Sequence, residues 1–247
     1  TFSAALGSPA SCRSRAFLIR STVSHPSFLH LSASSRGDVP EARQGAAARV
    51  AGGIRKDATM EKMASLKAAF VKPHGTVTAA NSSFLTDGAA ATLLMNKAKA
   101  EALGFAPKAY LREWVFVSCD PFEDLLLGPT YAVTSVLKKA GLTLKDIDVI
   151  EFHEAFAGQI LSNLKALDSD AFFAKSMPGT QKVGAVPMEK FNVHGGSLSL
   201  GHPFGATGAR LVTTVANRLK REDGRFGLIA ACADGGIGHA CIIERFD

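Results

Sequence analysis

Three segments of the chain put a reactive side chain where a regular element gives way to a turn. The first is Glu151-Phe152-His153-Glu154-Ala155-Phe156. A strand-like apolar run ends at Phe152 and a helical pattern opens at about Glu154, so His153 falls on a strand-to-helix junction. Layered α/β proteins place site residues at such junctions. By itself this histidine reads equally well as a structural hydrogen-bonding group.

The second segment, Gly195 to Arg210, reads GGSLSLGHPFGATGAR. Its glycines let backbone approach closely and take positive φ. It runs directly into a helix, whose first amides are unpaired and favour negative charge. His202 stands just ahead of that terminus. The third segment is Cys232-Ala233-Asp234-Gly235-Gly236-Ile237-Gly238-His239. Cys232 ends an apolar strand and opens a glycine turn. A buried cysteine at a strand end is commonly inert, but glycine turns expose backbone N–H groups that can hold an oxyanion.

The elements that must position these groups follow from periodicity. Lys62 to Phe70 carries a short helical pattern, and Gly75 to Thr78 is strand-like. A strand over residues 89–95 leads into a helix that stops at Gly104, and residues 109–117 form another strand. Ala132, Val133, Val136, Leu137 and Ala140 recur at helical spacing up to Gly141. A strand over 147–152 precedes a helix marked by Phe156, Ile160, Leu161, Leu164 and Leu167. Leu211, Val212, Val215, Ala216 and Leu219 mark a further helix. Strands at 226–232 and 240–243 then flank the last glycine turn as an antiparallel hairpin. Alternating helices and strands imply a layered α/β fold.

Composition narrows the class. Of 247 residues, 47% are hydrophobic and 20% charged, which supplies a sizeable core. No apolar run is long enough to predict a membrane-spanning helix. The net charge of +6 is scattered, without the basic, aromatic-interleaved patch that nucleic-acid binding requires. Cys12, Cys119, Cys232 and Cys241 form neither a CxxC pair nor a metal-ligand spacing. Free thiols and no metal are the expectation.

The opening stretch differs from the rest. Thr1 to Gly37 holds no acidic residue, while Arg13, Arg15, Arg20 and Arg36 lie among many serines. That is the composition of a mitochondrial transit peptide. It is also that of a disordered or foreign segment, so residues 1–52 are assigned no fold.

The three segments, in this order, resemble the C-terminal signatures of the thiolases. Family members carry N-E-A-F or H-E-A-F, then G-G-x-x-x-x-G-H-P-x-G-x-[ST]-G, then C-x-x-G-G-x-G. Gly75 to Gly88 resembles a fourth family segment, and the resemblance spans roughly Gly53 to Phe246. His153-Glu154-Ala155-Phe156, Asn81 to Gly88 and Leu126 to Tyr131 are of the kind found in the branch that forms the β subunits of trifunctional enzymes of fatty-acid β-oxidation. The resemblance implies a thiolase fold: an α-β-α C-terminal domain over 108–247, preceded over 53–107 by the tail of an incomplete N-terminal domain. It implies an acetyl-CoA C-acyltransferase, which cleaves 3-ketoacyl-CoA with CoA to acetyl-CoA and a shortened acyl-CoA. Coenzyme A and acyl-CoA would be substrates, with no cofactor. The implied partners are a second thiolase chain and the trifunctional-enzyme α subunit, at the matrix side of the inner mitochondrial membrane.

Carried over by motif, Cys232 is the general acid/base. Donors and a helix terminus are expected to bring its thiol nearer working pH. His202 activates the nucleophile and donates to the thioester oxygen. His153 stands where many thiolases have Asn and holds the water or carbonyl of the first oxyanion hole. Ser83 contacts the pantetheine arm of CoA, and the backbone at Asp234 and Gly235 forms part of a second hole.

Two departures qualify this. Asp234 replaces Gly or Ala, and its carboxylate is unfavourable beside an oxyanion unless it points away: two charges about 4 Å apart at an effective ε near 20 interact by about 4 kcal/mol. Moreover, these residues include no segment like that of the family's acyl-accepting cysteine, since Cys12 lacks the helix that should follow it. The chain alone is therefore expected to be inactive. A catalytically inactive thiolase-fold chain, acting in binding or assembly, is the competing reading.

Overall fold

A computed structural model describes the strand at residues 16–23 and then residues 57–246. Six strands make one mixed sheet in the order β2-β1-β3-β6-β5-β4. They are β1 (Ala16–Val23), β2 (Ala90–Asn96), β3 (Ala109–Ser118), β4 (Val149–Phe152), β5 (Phe226–Ala233) and β6 (Ile237–Arg245). Only β4 and β5 run parallel. The expected hairpin is present, with Phe226 opposite Glu244 and Ala233 opposite Ile237.

Alternation along the strands builds two cores. Ile150 and Phe152 of β4, Leu228 and Ala230 of β5, and Ala240 and Ile242 of β6 face α3 (Gly128–Ala140) and α4 (Ala157–Leu167). The intervening Val149, Ile229, Cys241 and Ile243 face Leu211, Val215 and Leu219 of α7 (Gly205–Arg221). The product is a layered α-β-α arrangement, within the layered α/β class that the periodicity implied. Gly227 has a structural reason to be glycine, because a Cβ there would stand 2.2 Å from Val215 Cγ1 of α7.

Several element boundaries follow local chemistry closely. Pro129 lies in the first turn of α3, where a missing N–H costs nothing. Gly141 ends it at φ 68°, its N–H reaching the carbonyls of Leu137 and Lys138. The helix Lys97–Ala102 (α2) is capped by Asn96, whose side chain accepts from the Lys99 N–H.

Other expectations are corrected. The helix expected over 62–70 is one short turn, Met60–Ala64 (α1), which buries no residue of its own. Gly75 to Thr78 is not a strand; it lies in a looped segment whose Asn81 side chain accepts from the Thr78 N–H and donates to the Thr76 carbonyl. Asx-type bonds of this sort compete with a ladder. Of the stretch to residue 52, the structure describes only β1, between β2 and β3. Phe17, Ile19 and Val23 supply β-propensity that a compositional reading passes over. The rest of that stretch lies outside the described residues.

Candidate active site

The site forms at the C-terminal ends of β4 and β5. The His153 N–H donates to the Ala230 carbonyl at 2.8 Å, which fixes the residue just past β4 against its neighbour strand. Cys232 lies two positions beyond Ala230 on β5, opposite Gly238 of β6. His202 comes from the loop between α6 (Ser197–Leu200) and α7. The rings of His153 and His202 lie 4.1 Å apart between centroids, tilted by 35°.

Each histidine has a hydroxyl partner on Nδ1. His153 Nδ1 is 2.9 Å from Ser197 Oγ, and His202 Nδ1 is 2.8 Å from Thr207 Oγ1. Burial holds His153 far below the usual histidine range, at about 3, with smaller contributions from His202 and the Arg210 guanidinium. The same two causes, burial first and Arg210 second, lower His202. Both imidazoles are therefore neutral at neutral pH, each able to donate one hydrogen bond and accept another without carrying charge.

Glu154 does structural work beside them. Its carboxylate accepts from Asn192 Nδ2 at 2.6 Å and from the Leu198 N–H at 3.1 Å, tying the end of β4 to the start of α6. A Cβ on Gly196 would sit 2.3 Å from Glu154 Oε2, which explains that glycine. Asn192 also accepts from the Phe152 N–H and donates to the Phe152 carbonyl, at 2.8 and 3.0 Å. Sequence reasoning did not single out Asn192, Ser197, Thr207 or Arg210. The last three lay inside the glycine-rich segment, but their partners are set by the fold.

Ser83 belongs to a strap laid across both histidine segments. Its N–H donates to the Ala155 carbonyl at 2.9 Å, and the Ala157 N–H donates to the Asn81 carbonyl at 2.9 Å. One residue past Ser83, the Phe84 carbonyl accepts from the His202 N–H at 2.8 Å. Close packing seals this contact, since a Cβ on Gly88 would lie 2.7 Å from Pro203.

Cys232 departs from expectation. Burial, reinforced by the neighbouring Cys119 thiol, pushes it up to about 11 against a partial offset from a backbone hydrogen bond. Alternation from Leu228 and Ala230 puts Cys232 on the α3 side of the sheet. The backbone hydrogen bond there offsets burial only in part. Asp234 does not turn its carboxylate away from the turn: Oδ1 accepts from the Gly235 N–H at 2.9 Å, occupying an amide that the motif assigns to the second oxyanion hole.

This combination of sheet, paired histidines and glycine turns is that of a thiolase. The thiolase C-terminal domain model matches residues 105–245 and the thiolase N-terminal domain model matches residues 39–98. The chain belongs to the thiolase family. Among curated relatives, it is 64% identical over 194 residues to the mitochondrial trifunctional enzyme subunit beta of Bos taurus, covering 78% of this chain and 41% of that one. It is 59% identical to a probable 3-ketoacyl-CoA thiolase of Caenorhabditis elegans, covering 78% and 43%. Human mitochondrial 3-ketoacyl-CoA thiolase in complex with CoA superposes with a TM-score of 0.70 at 35% identity, over 80% of this chain and 45% of that one. The chain thus spans less than half the length of these relatives.

Proposed function

We propose that this chain supplies the histidine- and cysteine-bearing half of a 3-ketoacyl-CoA thiolase of mitochondrial fatty-acid β-oxidation. The observation that carries the reading is the pair of neutral imidazoles, His153 and His202, 4.1 Å apart at the ends of β4 and β5. Thiolysis breaks a carbon–carbon bond and leaves an enolate of acetyl-CoA. That enolate needs a hydrogen-bonded pocket and a proton. In this reading His202 donates to the thioester oxygen and relays the proton of the acyl-accepting thiol. His153 holds the water or carbonyl beside it. Cys232 protonates the departing enolate, and a thiol held at about 11 is poised as a proton donor. Ser83, on the strap between the two histidine segments, would meet the pantetheine arm of CoA. Coenzyme A and acyl-CoA are then substrates rather than cofactors, and no metal takes part.

The names of the relatives support a mitochondrial enzyme of more than one subunit; a second thiolase chain, a trifunctional-enzyme α subunit and the matrix side of the inner mitochondrial membrane are part of the same proposal. Exposed Phe116, Phe122 and Ile237 are apolar surface of the sort that such partners cover. The division into an N-terminal-domain tail over 53–107 and a C-terminal domain over 108–247 belongs to the same reading.

The test is a chimera. Residues 57–247 would replace the corresponding part of the bovine subunit, and thiolysis of a 3-ketoacyl-CoA would be followed. Turnover that falls at least a hundredfold in the His202→Ala variant is the expected result. A folded chimera without activity, or one indifferent to His202→Ala, would overturn the assignment. Asp234 favours a second reading, an inactive thiolase-fold chain acting in binding or assembly, because its carboxylate occupies the Gly235 amide. Inactivity of the folded chimera would support that reading.

A further inference from the structure

Behind His153 lies a group of buried polar atoms that the proposed reaction does not use. Ser197 is fully buried, and Arg210 is 3% exposed. Arg210 Nη2 lies 3.4 Å from Ser197 Oγ, on which His153 Nδ1 also converges at 2.9 Å. Arg210 Nε has no hydrogen-bond partner. No carboxylate stands within ion-pair distance of this guanidinium among the described residues, although Glu151 and Glu154 act on it from farther off.

The donor inventory decides how these atoms are wired. A guanidinium only donates, so Ser197 Oγ can meet Arg210 only as an acceptor. At 3.4 Å that bond is long, but the positive charge still orients the hydroxyl dipole, with lone pairs toward Arg210 and the hydrogen away. The hydrogen then points toward His153 Nδ1. Were Nδ1 protonated instead, Ser197 would accept twice and its own O–H would be left buried and unpaired, at a cost of about 1–3 kcal/mol. We infer that Ser197, oriented by Arg210, is a positioning residue that locks His153 in the tautomer with the proton on Nε2, so that the edge of the ring away from Ser197 always presents an N–H donor and never a basic nitrogen. Thr207 bonds His202 Nδ1 without a cation bonded behind it among the described residues. His202 keeps both tautomers, as a group that exchanges protons must. Two like side chains, 4.1 Å apart, are thereby given different roles.

The use of that donor in catalysis rests on the thiolase reading, but the tautomer does not, and it can be measured without any turnover. The chain labelled with ¹⁵N in its histidine rings would be studied by long-range ¹H–¹⁵N correlation NMR, with the His153→Asn variant identifying the signals. The expected spectrum shows His153 protonated on Nε2 alone between pH 6 and 8. Ser197→Ala should bring the Nδ1–H form from below detection to a population comparable with the other, and Ser197→Thr should restore the single form. Arg210→Met serves as an independent second variant and should also produce a mixture. An Nδ1–H form of His153 in the unmodified chain would overturn the inference whether or not the variants fold. So would an unchanged spectrum in a folded Ser197→Ala or Arg210→Met protein.

Discussion

His153 and His202 touch ring against ring, yet neither ring nitrogen of one is bonded to the other: each Nδ1 is held from behind by its own hydroxyl, Ser197 or Thr207. The pair is thus fixed by the fold and neutral by burial, and several consequences can be measured.

Stability should fall as pH drops below about 6.5. His153 is held at about 3 in the folded chain, against about 6.5 when unfolded. Between these values the unfolded chain binds one proton more, so stability declines by up to about 1.4 kcal/mol per pH unit and the decline ends once the native ring protonates. Urea unfolding at pH 7, 6, 5 and 4 checks this. His153→Asn should flatten the profile over that range, and an equal slope in the variant would show that other groups carry it.

Removing Arg218 should be costly. Its Nη1 donates to Oε1 of Glu151 on β4 at 2.9 Å, with both side chains almost wholly buried. Burial raises Glu151 above the usual carboxylate range in spite of the pairing. Arg218→Met strands that carboxylate and should destabilise the chain by about 3–5 kcal/mol, read from the denaturation midpoint. A loss under about 1 kcal/mol would mean that Glu151 takes up a proton at little cost.

Asp234 should limit any oxyanion stabilisation at the last turn. Asp234→Gly in the thiolysis-competent chimera releases the Gly235 amide and should raise kcat about tenfold or more, given that one such donor is worth about 100–1,000-fold. An unchanged kcat would remove Gly235 from the site.

The 247-residue chain by itself should give no thiolysis of a 3-ketoacyl-CoA above background. In the proposed roles Cys232 delivers a proton and His202 polarises a thioester; neither role holds the acyl group, and covalent catalysis needs its nucleophile. A labelled acyl intermediate on Cys232 would refute its role as the proton donor.

Much of this was legible in the residues. Strand alternation and helix spacing placed the layers, because each strand packs on helices by alternate side chains. Gly141 marked the end of α3 by chemistry that is wholly local. His202 stood out because a turn rich in glycine around a reactive group is rarely accidental, whereas His153 was marked only by its place at a strand-to-helix junction. What sequence could not supply were long-range partners. Nothing near Ser197 in the chain announces that it will face His153, and nothing near Asp234 says which amide its carboxylate will find. The thiol of Cys232 was misjudged for the same reason, since the burial and the Cys119 neighbour that raise it come from other strands and loops.

The strap from Asn81 to Gly88 has a consequence for motion. Its three backbone bonds, Ser83 to Ala155, Ala157 to Asn81 and His202 to Phe84, join both histidine segments through a piece of chain distant from either in sequence. None of these bonds can open far without slackening the others. The amides of Ser83, Ala157 and His202 are therefore parts of a single latch. They should exchange with deuterium at one shared rate, set by the lifting of the strap rather than by fraying of the helices that follow each histidine.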